Sequence, residues 1–229
     1  MKFGFIFTCV GALTFFQAGL VQSCCAAETN AVIPYKSMDE LCEVTEGADR
    51  TKLVMRVLLA SKNKSVDASA IRLTIQSATK GKIPVQISTN GEVLKFPHQK
   101  ELRRENPPMI SNQPKGTLNL MVAMELPALE ELTFRYKRLG DGVAEMNKVI
   151  KTKAGMMSLL APKAEGVIFY FPKASAGKAK IEIATAAGKR GYTADKDGQI
   201  ILKMEKALLA ENPQVKVSEK PQAIVPDLE

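Results

Sequence analysis

Side chains that carry most enzyme chemistry are scarce in this chain. One histidine, His98, stands in "KFPHQK", and of four cysteines only Cys42 lies beyond the first 25 residues. A cysteine nucleophile needs a base beside it, and these two residues sit in segments that share no signature. Cys42 in "ELCEV" reads as a small apolar side chain buried by a short helix, and His98 as an exposed loop residue. Zinc wants about four soft or imidazole ligands, more than this pair supplies. Asp195-Lys196-Asp197-Gly198 imitates the centre of a calcium loop, but Thr193 and Met204 stand where further ligands belong. Thr89-Asn90-Gly91-Glu92 keeps the same turn without the acids, so turn geometry accounts for both and no metal is expected. Met121 and Met124 fall on opposite faces of a strand, and Met156-Met157 has no histidine near it, so core filling is expected rather than copper binding. No Gly-rich phosphate loop, Gly-x-Ser-x-Gly elbow or zinc-protease helix occurs, and no cofactor is expected. Carboxylates from distant loops can converge for glycan hydrolysis, which keeps a cell-wall or surface-glycan hydrolase as the alternative to a binding protein.

Charge is more informative. "KFPHQKELRREN" carries Lys95, His98, Lys100, Arg103 and Arg104, whereas the matching "ILKMEKALLAEN" has Leu208, Leu209 and Ala210 where the arginines were. One reading is that the second stretch is buried and the first is wet. The other makes Lys100, Arg103, Arg104 and His98 an anion-contacting patch for a partner, since arginine forks suit carboxylate and phosphate. The formal net charge is +8, or +7 without Lys2. A basic exported protein is drawn to anionic envelope material, and the same charge also aids solubility. Nucleic acid is not expected as a partner: the chain lacks Trp, and its basic residues are not interleaved with stacking aromatics.

Export is expected from the start of the chain. Lys2 precedes an apolar run from Phe3 to Val21 and small residues at Ser23 to Ala27, the layout of a signal peptide over residues 1–27. Cleavage after Ala27 yields a soluble chain from Glu28, placed in the periplasm or secreted. "LVQSC" alternatively resembles a lipoprotein box, which implies lipidation of Cys24 and a lipid-anchored structural envelope protein, with the membrane met only through leader or lipid. Beyond the leader a lone Cys42 excludes an internal disulfide framework in the soluble form.

The elements that must hold these residues repeat. Alternating apolar positions mark strands at Leu53, Met55 and Val57, at Ile71, Leu73 and Ile75, at Val85 and Ile87, and over Thr117 to Leu126. "GVIFYF", "AKIEIAT" and "QIIL" follow the same order later, with Asp197-Gly198 in place of Asn90-Gly91 as the hairpin signal. "LRRENP" returns as "LLAENP" about 106 residues on. The pattern reads as a tandem duplication. Ser37 and Glu40 form a capping box for a short N-terminal helix. Asp141 caps a further helix stopped by Gly155, with Val143, Met146 and Ile150 inside and Glu145 and Lys148 outside. The expected architecture is mainly β: lead 28–49, β-sandwich module 50–128, helical linker 129–163 and β-sandwich module 164–229. "YTADKDGQIIL" resembles the turn-and-strand phrase of carboxypeptidase-regulatory or transthyretin-like sandwiches, and the whole is similar in style to uncharacterised secreted bacterial proteins with tandem Ig-like modules. That resemblance implies the fold and no activity. The expected role is non-catalytic binding or scaffolding in the bacterial envelope, with an anionic component or another envelope protein as partner.

Overall fold

The computed structural model describes residues 29–154 and 162–228. The leader with Cys24 and both cleavage sites, together with Gly155, Met156 and Met157, lies outside the described residues. The chain is mainly β and divides into two units, Met1–Glu46 with Arg56–Ala123, and Gly47–Met55 with Met124–Glu229.

Unit 1 begins with β1 (Asn30–Pro34) and α1 (Tyr35–Glu46), followed by β2 (Val54–Ser61), β3 (Leu73–Ser77), β4 (Gly81–Pro84), β5 (Gln86–Ile87) and β6 (Val93–Lys95). It continues through α2 (Lys100–Glu105), β7 (Pro108–Pro114) and β8 (Leu118–Glu125). The division between units cuts β2 after Met55 and β8 after Ala123. A four-stranded antiparallel sheet runs β1-β7-β3-β4, and β2 pairs with β8. Alternation in β3 and β7 sends Leu73, Ile75 and Met109 inward, as a pleated strand requires. They join Val57 and Leu59 of β2, Tyr35, Met38 and Cys42 of α1, and Leu102 of α2 in one core. β7 holds an inner position although Pro108 and Pro114 bound it, because prolines at strand ends cost little of the ladder.

Unit 2 has β9 (Thr133–Arg135), α3 (Lys137–Ala154), β10 (Ala164–Tyr170), β11 (Lys180–Thr185), β12 (Gly188–Thr193), β13 (Gln199–Lys203), α4 (Lys206–Glu211), β14 (Gln214–Val217) and β15 (Ala223–Leu228). Its four-stranded sheet reads β9-β14-β11-β12, the order of β1-β7-β3-β4. Register agrees as well: Ile75 opposes Met109 and Ile183 opposes Val215, while Leu73 opposes Ser111 and Ile181 opposes Val217. β13-β10-β15 forms the second sheet. α3 packs on β10, β15 and α4, burying Leu139, Val143 and Met146. The segment expected as a linker is therefore part of unit 2, at the place α1 has in unit 1. A face that buries three apolar side chains needs a sheet to lie on.

Two local details also depart from expectation. α1 starts at Tyr35 without a cap from Ser37, and α3 at Lys137, ahead of Asp141. The caps come from far along the chain. Asn106 Oδ1 accepts from Lys36 N at 2.8 Å and Asn212 Oδ1 from Lys137 N at 2.9 Å. Glu145 is buried rather than outside, because it accepts from Asp49 N at 3.1 Å and Lys148 Nζ at 3.2 Å.

Candidate functional site

The repeated Glu-Asn-Pro tripeptide is the joint that sets the short helix of each unit beside its long one. Asn106 and Asn212 end α2 and α4 in the left-handed region, at φ 50° and 51°, which asparagine tolerates better than most residues. Each asparagine side chain then caps the unit's long helix as described. The preceding glutamate reaches the hairpin of the large sheet: Glu105 Oε1 accepts from Ala78 N and Glu211 Oε1 from Ala186 N, both at 2.6 Å. The following proline carbonyl accepts from Tyr35 N at 3.1 Å and from Tyr136 N at 2.9 Å. Helix, hairpin and incoming strand are tied at one point in each unit.

The other shared turn is the glycine hairpin. Only the glycines have positive φ, 86° at Gly91 and 77° at Gly198, and each bonds back three residues, to Ser88 O and Asp195 O. This is a type I turn with a left-handed glycine rather than the I′ turn that Asn-Gly and Asp-Gly pairs favour in two-residue hairpins. A Cβ at Gly91 would meet Leu59 O at 2.2 Å. The Asp195 carboxylate accepts from Asp197 N at 2.9 Å and Gln199 N at 2.8 Å, a turn-stabilising role that Ser88 Oγ fills in unit 1.

The joint sets α2 beside α1, and here the expected patch takes a different form. Asp39, Glu43 and Glu46 lie along one side of α1, and Asp39 is 0% exposed. Arg103 donates through Nε to Asp39 Oδ2 and through Nη2 to Glu43 Oε2, the latter at 3.1 Å. His98 Nδ1 stands 2.7 Å from Asp39 Oδ1 and its Nε2 3.1 Å from Glu46 Oε2. His98 is thus no idle loop residue. Two of the four patch residues are bonded to acids of their own unit, and Lys100 and Arg104 remain exposed on α2. Cys42 is buried beneath this cluster, and burial first, then Glu46 and Asp39, pushes its thiol up to about 12. At neutral pH it stays a thiol and is no nucleophile.

Unit 2 places Gly140 where unit 1 has Asp39, and Leu209 and Met204 where it has Arg103 and His98. Leu209 lies directly over the bare backbone of Gly140, so that a Cβ there would meet Leu209 Cδ2 at 2.2 Å. Unit 2 instead gathers cations at the start of α3. A cleft of about 380 Å³ is bordered by Lys52, Arg135, Lys137 and Arg138, with Asp141 and Asn212. Arg138 Nη2 donates to Pro127 O at 2.8 Å and Ala128 O at 3.0 Å, and its guanidinium lies 6.0 Å from the centre of the Phe134 ring. Sequence reasoning passed over these residues. The run "RYKR" was the available signal, but Lys52 enters from a segment far upstream.

Arg135 also belongs to the outward face of the unit 2 sheet, and that face differs from its counterpart. In unit 1 the outward positions of β1 and β7 hold Val32, Pro34, Pro108 and Ile110, with Val32 57% exposed. In unit 2 the same positions hold Thr133, Arg135, Gln214 and Lys216. On the neighbouring strands Lys180 and Lys189 match Arg72 and Lys82, and Glu182, paired with Lys189 at 2.9 Å, matches Thr74.

The geometry defines a mainly β protein of two topologically matched units with unlike surfaces. The chain belongs to the family described as "Protein of unknown function (DUF2987)", whose profile matches residues 28–171, through unit 1 and on to the end of β10. No curated protein and no solved structure matches it.

Proposed function

We propose that this is an exported, non-catalytic binding or scaffolding protein of the bacterial cell envelope, built from two copies of one module, and that unit 2 meets an anionic envelope component. Each module sets small sheets about its core in the manner of a β-sandwich, three in unit 1 and two in unit 2, with a helix closing one side. The observation that carries the reading is the contrast between the outward strands: apolar and proline-rich on β1 and β7, basic on β9 and β14. No inward position of these strands carries a charge in either unit, so the core does not require the change. A basic half-sheet attracts anionic material. The contact falls to unit 2 rather than to α2, because Arg103 and His98 are engaged with Asp39, Glu43 and Glu46.

Retention of the chain from Glu28 on envelope fractions tests this, at low and high salt, beside Lys180→Glu with Lys216→Glu. Both side chains sit on outward sheet positions, so melting should be unchanged. Retention that falls with salt and in the variant is expected. Retention indifferent to both would remove the reading.

A further inference from the structure

We infer that the cleft at the start of α3 is a binding site for a phosphate-type oxyanion, an inference that rests on the envelope-binding reading and names its ligand chemistry. Lys52 is held by Asp49 at 2.8 Å, so the surplus charge comes from Arg135, Lys137 and Arg138 against Asp141. That leaves two positive charges in excess, which matches the roughly −1.5 to −2 charge of a phosphate ester near neutral pH. A carboxylate or another monoanion would leave the site under-neutralised.

The guanidiniums are arranged to wait for a ligand. Arg138 is fixed through Nη2 by the carbonyls of Pro127 and Ala128, which orients its planar fork. Arg135 is steadied by a long contact from Nη1 to Asn212 O at 3.4 Å. The amide of Lys137 is occupied by Asn212 Oδ1, so the helix terminus is not what holds the anion; the side chains are. A hollow of about 380 Å³ accepts a phosphate with part of what it is esterified to. Unit 1 supplies the control within the same chain. Pro34 and Ser37 stand where Arg135 and Arg138 do, so only Lys36 recurs, and the shared fold has no need of the arginines. Among the surfaces of the described residues, the cleft also joins the basic half-sheet through Arg135, which extends the field that delivers an anion to it.

The phosphate has two sources in an envelope, a lipid headgroup or a phosphorylated glycan, and one experiment separates them. The chain from Glu28 is titrated with inorganic phosphate while the amide resonances of residues 135–141 are followed, and its retention on phosphatidylcholine vesicles with and without phosphatidic acid, whose headgroup is a phosphate monoester, is measured. Saturable shifts at those amides are expected, and Arg135→Gln with Arg138→Gln should weaken them by about a hundredfold, on the order of tenfold for each lost charged hydrogen bond. Should that variant melt early through loss of the bonds to Pro127 and Ala128, Lys137→Gln serves instead, since its backbone bond to Asn212 persists, and a several-fold loss is expected. Vesicle retention lost in the same variant assigns the lipid source, and phosphate binding without vesicle retention assigns the soluble or glycan source. No saturable shift, or shifts unchanged in the variants, overturns the site. Because Lys180 and Lys216 lie outside the cleft, envelope retention sensitive to their replacement would then still stand.

Discussion

At the contact between its long helix and its short one, unit 1 buries a carboxylate and unit 2 buries none. Asp39 sits under Arg103 and His98; Gly140 sits under Leu209, with Met204 in the place of the histidine. Three of the differences between the two solutions are matched: the unit that has the acid has Arg103 and His98 bonded to it, and the unit that lacks it has apolar side chains in their places. The coupling has a physical cause. A buried carboxylate without partners is costly, and a guanidinium without its acid would have to leave the contact. The difference also shows that the fold does not depend on the charges, since unit 2 keeps the helix pair without them. A buried ion pair is weak evidence for stability, and an apolar replacement of similar volume is often neutral or better. Change in one copy could therefore proceed only as a set.

The strongest way to break this comparison is to change one member. Asp39→Ala should cost about 3 kcal/mol, because charged hydrogen bonds are lost and Arg103 is left without its buried partner. Gly140→Asp should cost at least as much, about 3 kcal/mol or more, with a carboxylate driven against Leu209 and no cation within its own contact. Converting unit 1 to the unit 2 set, Asp39→Gly with Arg103→Leu and His98→Met, should recover most of the single-variant loss. Urea midpoints at constant slope check all three. A triple variant as unstable as the sum of its single changes would show that unit 1 depends on the charges in a way unit 2 does not.

A middle-sized test asks whether the shared joint is equally needed. Asn106→Ala and Asn212→Ala each put alanine at a left-handed position and remove the cap on Lys36 N or Lys137 N. Each should cost about 2 kcal/mol, and the glycine variants less, since glycine relieves the strain but not the lost cap. Unequal losses in thermal melting would mean that the two joints have diverged as the helix contacts have.

The smallest effect concerns Cys42, which unit 2 replaces with Val143. Cys42→Val should change stability at neutral pH by less than about 1 kcal/mol, the usual range for a swap of similar volume. The pH dependence should differ. The folded thiol titrates at about 12, above the usual thiol value of about 8.5, so its contribution is complete below about pH 8.5 and declines as pH rises from there toward 12. The slope is at most about 1.4 kcal/mol per pH unit, and the valine variant should lack it. Denaturation midpoints between pH 8 and 10, on the order of that onset, are the measurement.

Much of the frame is legible in the residues alone. Alternation at Leu73 and Ile75, and again at Ile181 and Ile183, is enough to place strands, because the pleat sends successive side chains to opposite faces whatever the partner strand. Gly91 and Gly198 mark their turns for an equally local reason, a positive φ that glycine adopts freely, whereas the carbonyls of Leu59 and Phe171 that crowd a Cβ there come from distant segments of the chain. The repeated Glu-Asn-Pro is visible as a repeat, yet its work is not: a left-handed asparagine that caps a helix 70 residues earlier is a tertiary fact. For the same reason the capping box at Ser37 is not used, and the helix starts where Asn106 reaches it.

The sequence by itself determined several of the strands, the places of the glycine turns, the basic charge and the repeat between the two halves, because each depends on side-chain period, backbone preference or composition within a few residues. Only the tertiary structure decided that Arg103 and His98 bond Asp39, that α3 belongs to unit 2, and that Lys52 meets Arg135 and Arg138 around one cleft. Ion pairs and cavities are made by whichever charges the packed chain brings within a few ångströms, and that distance is not written in their spacing along it.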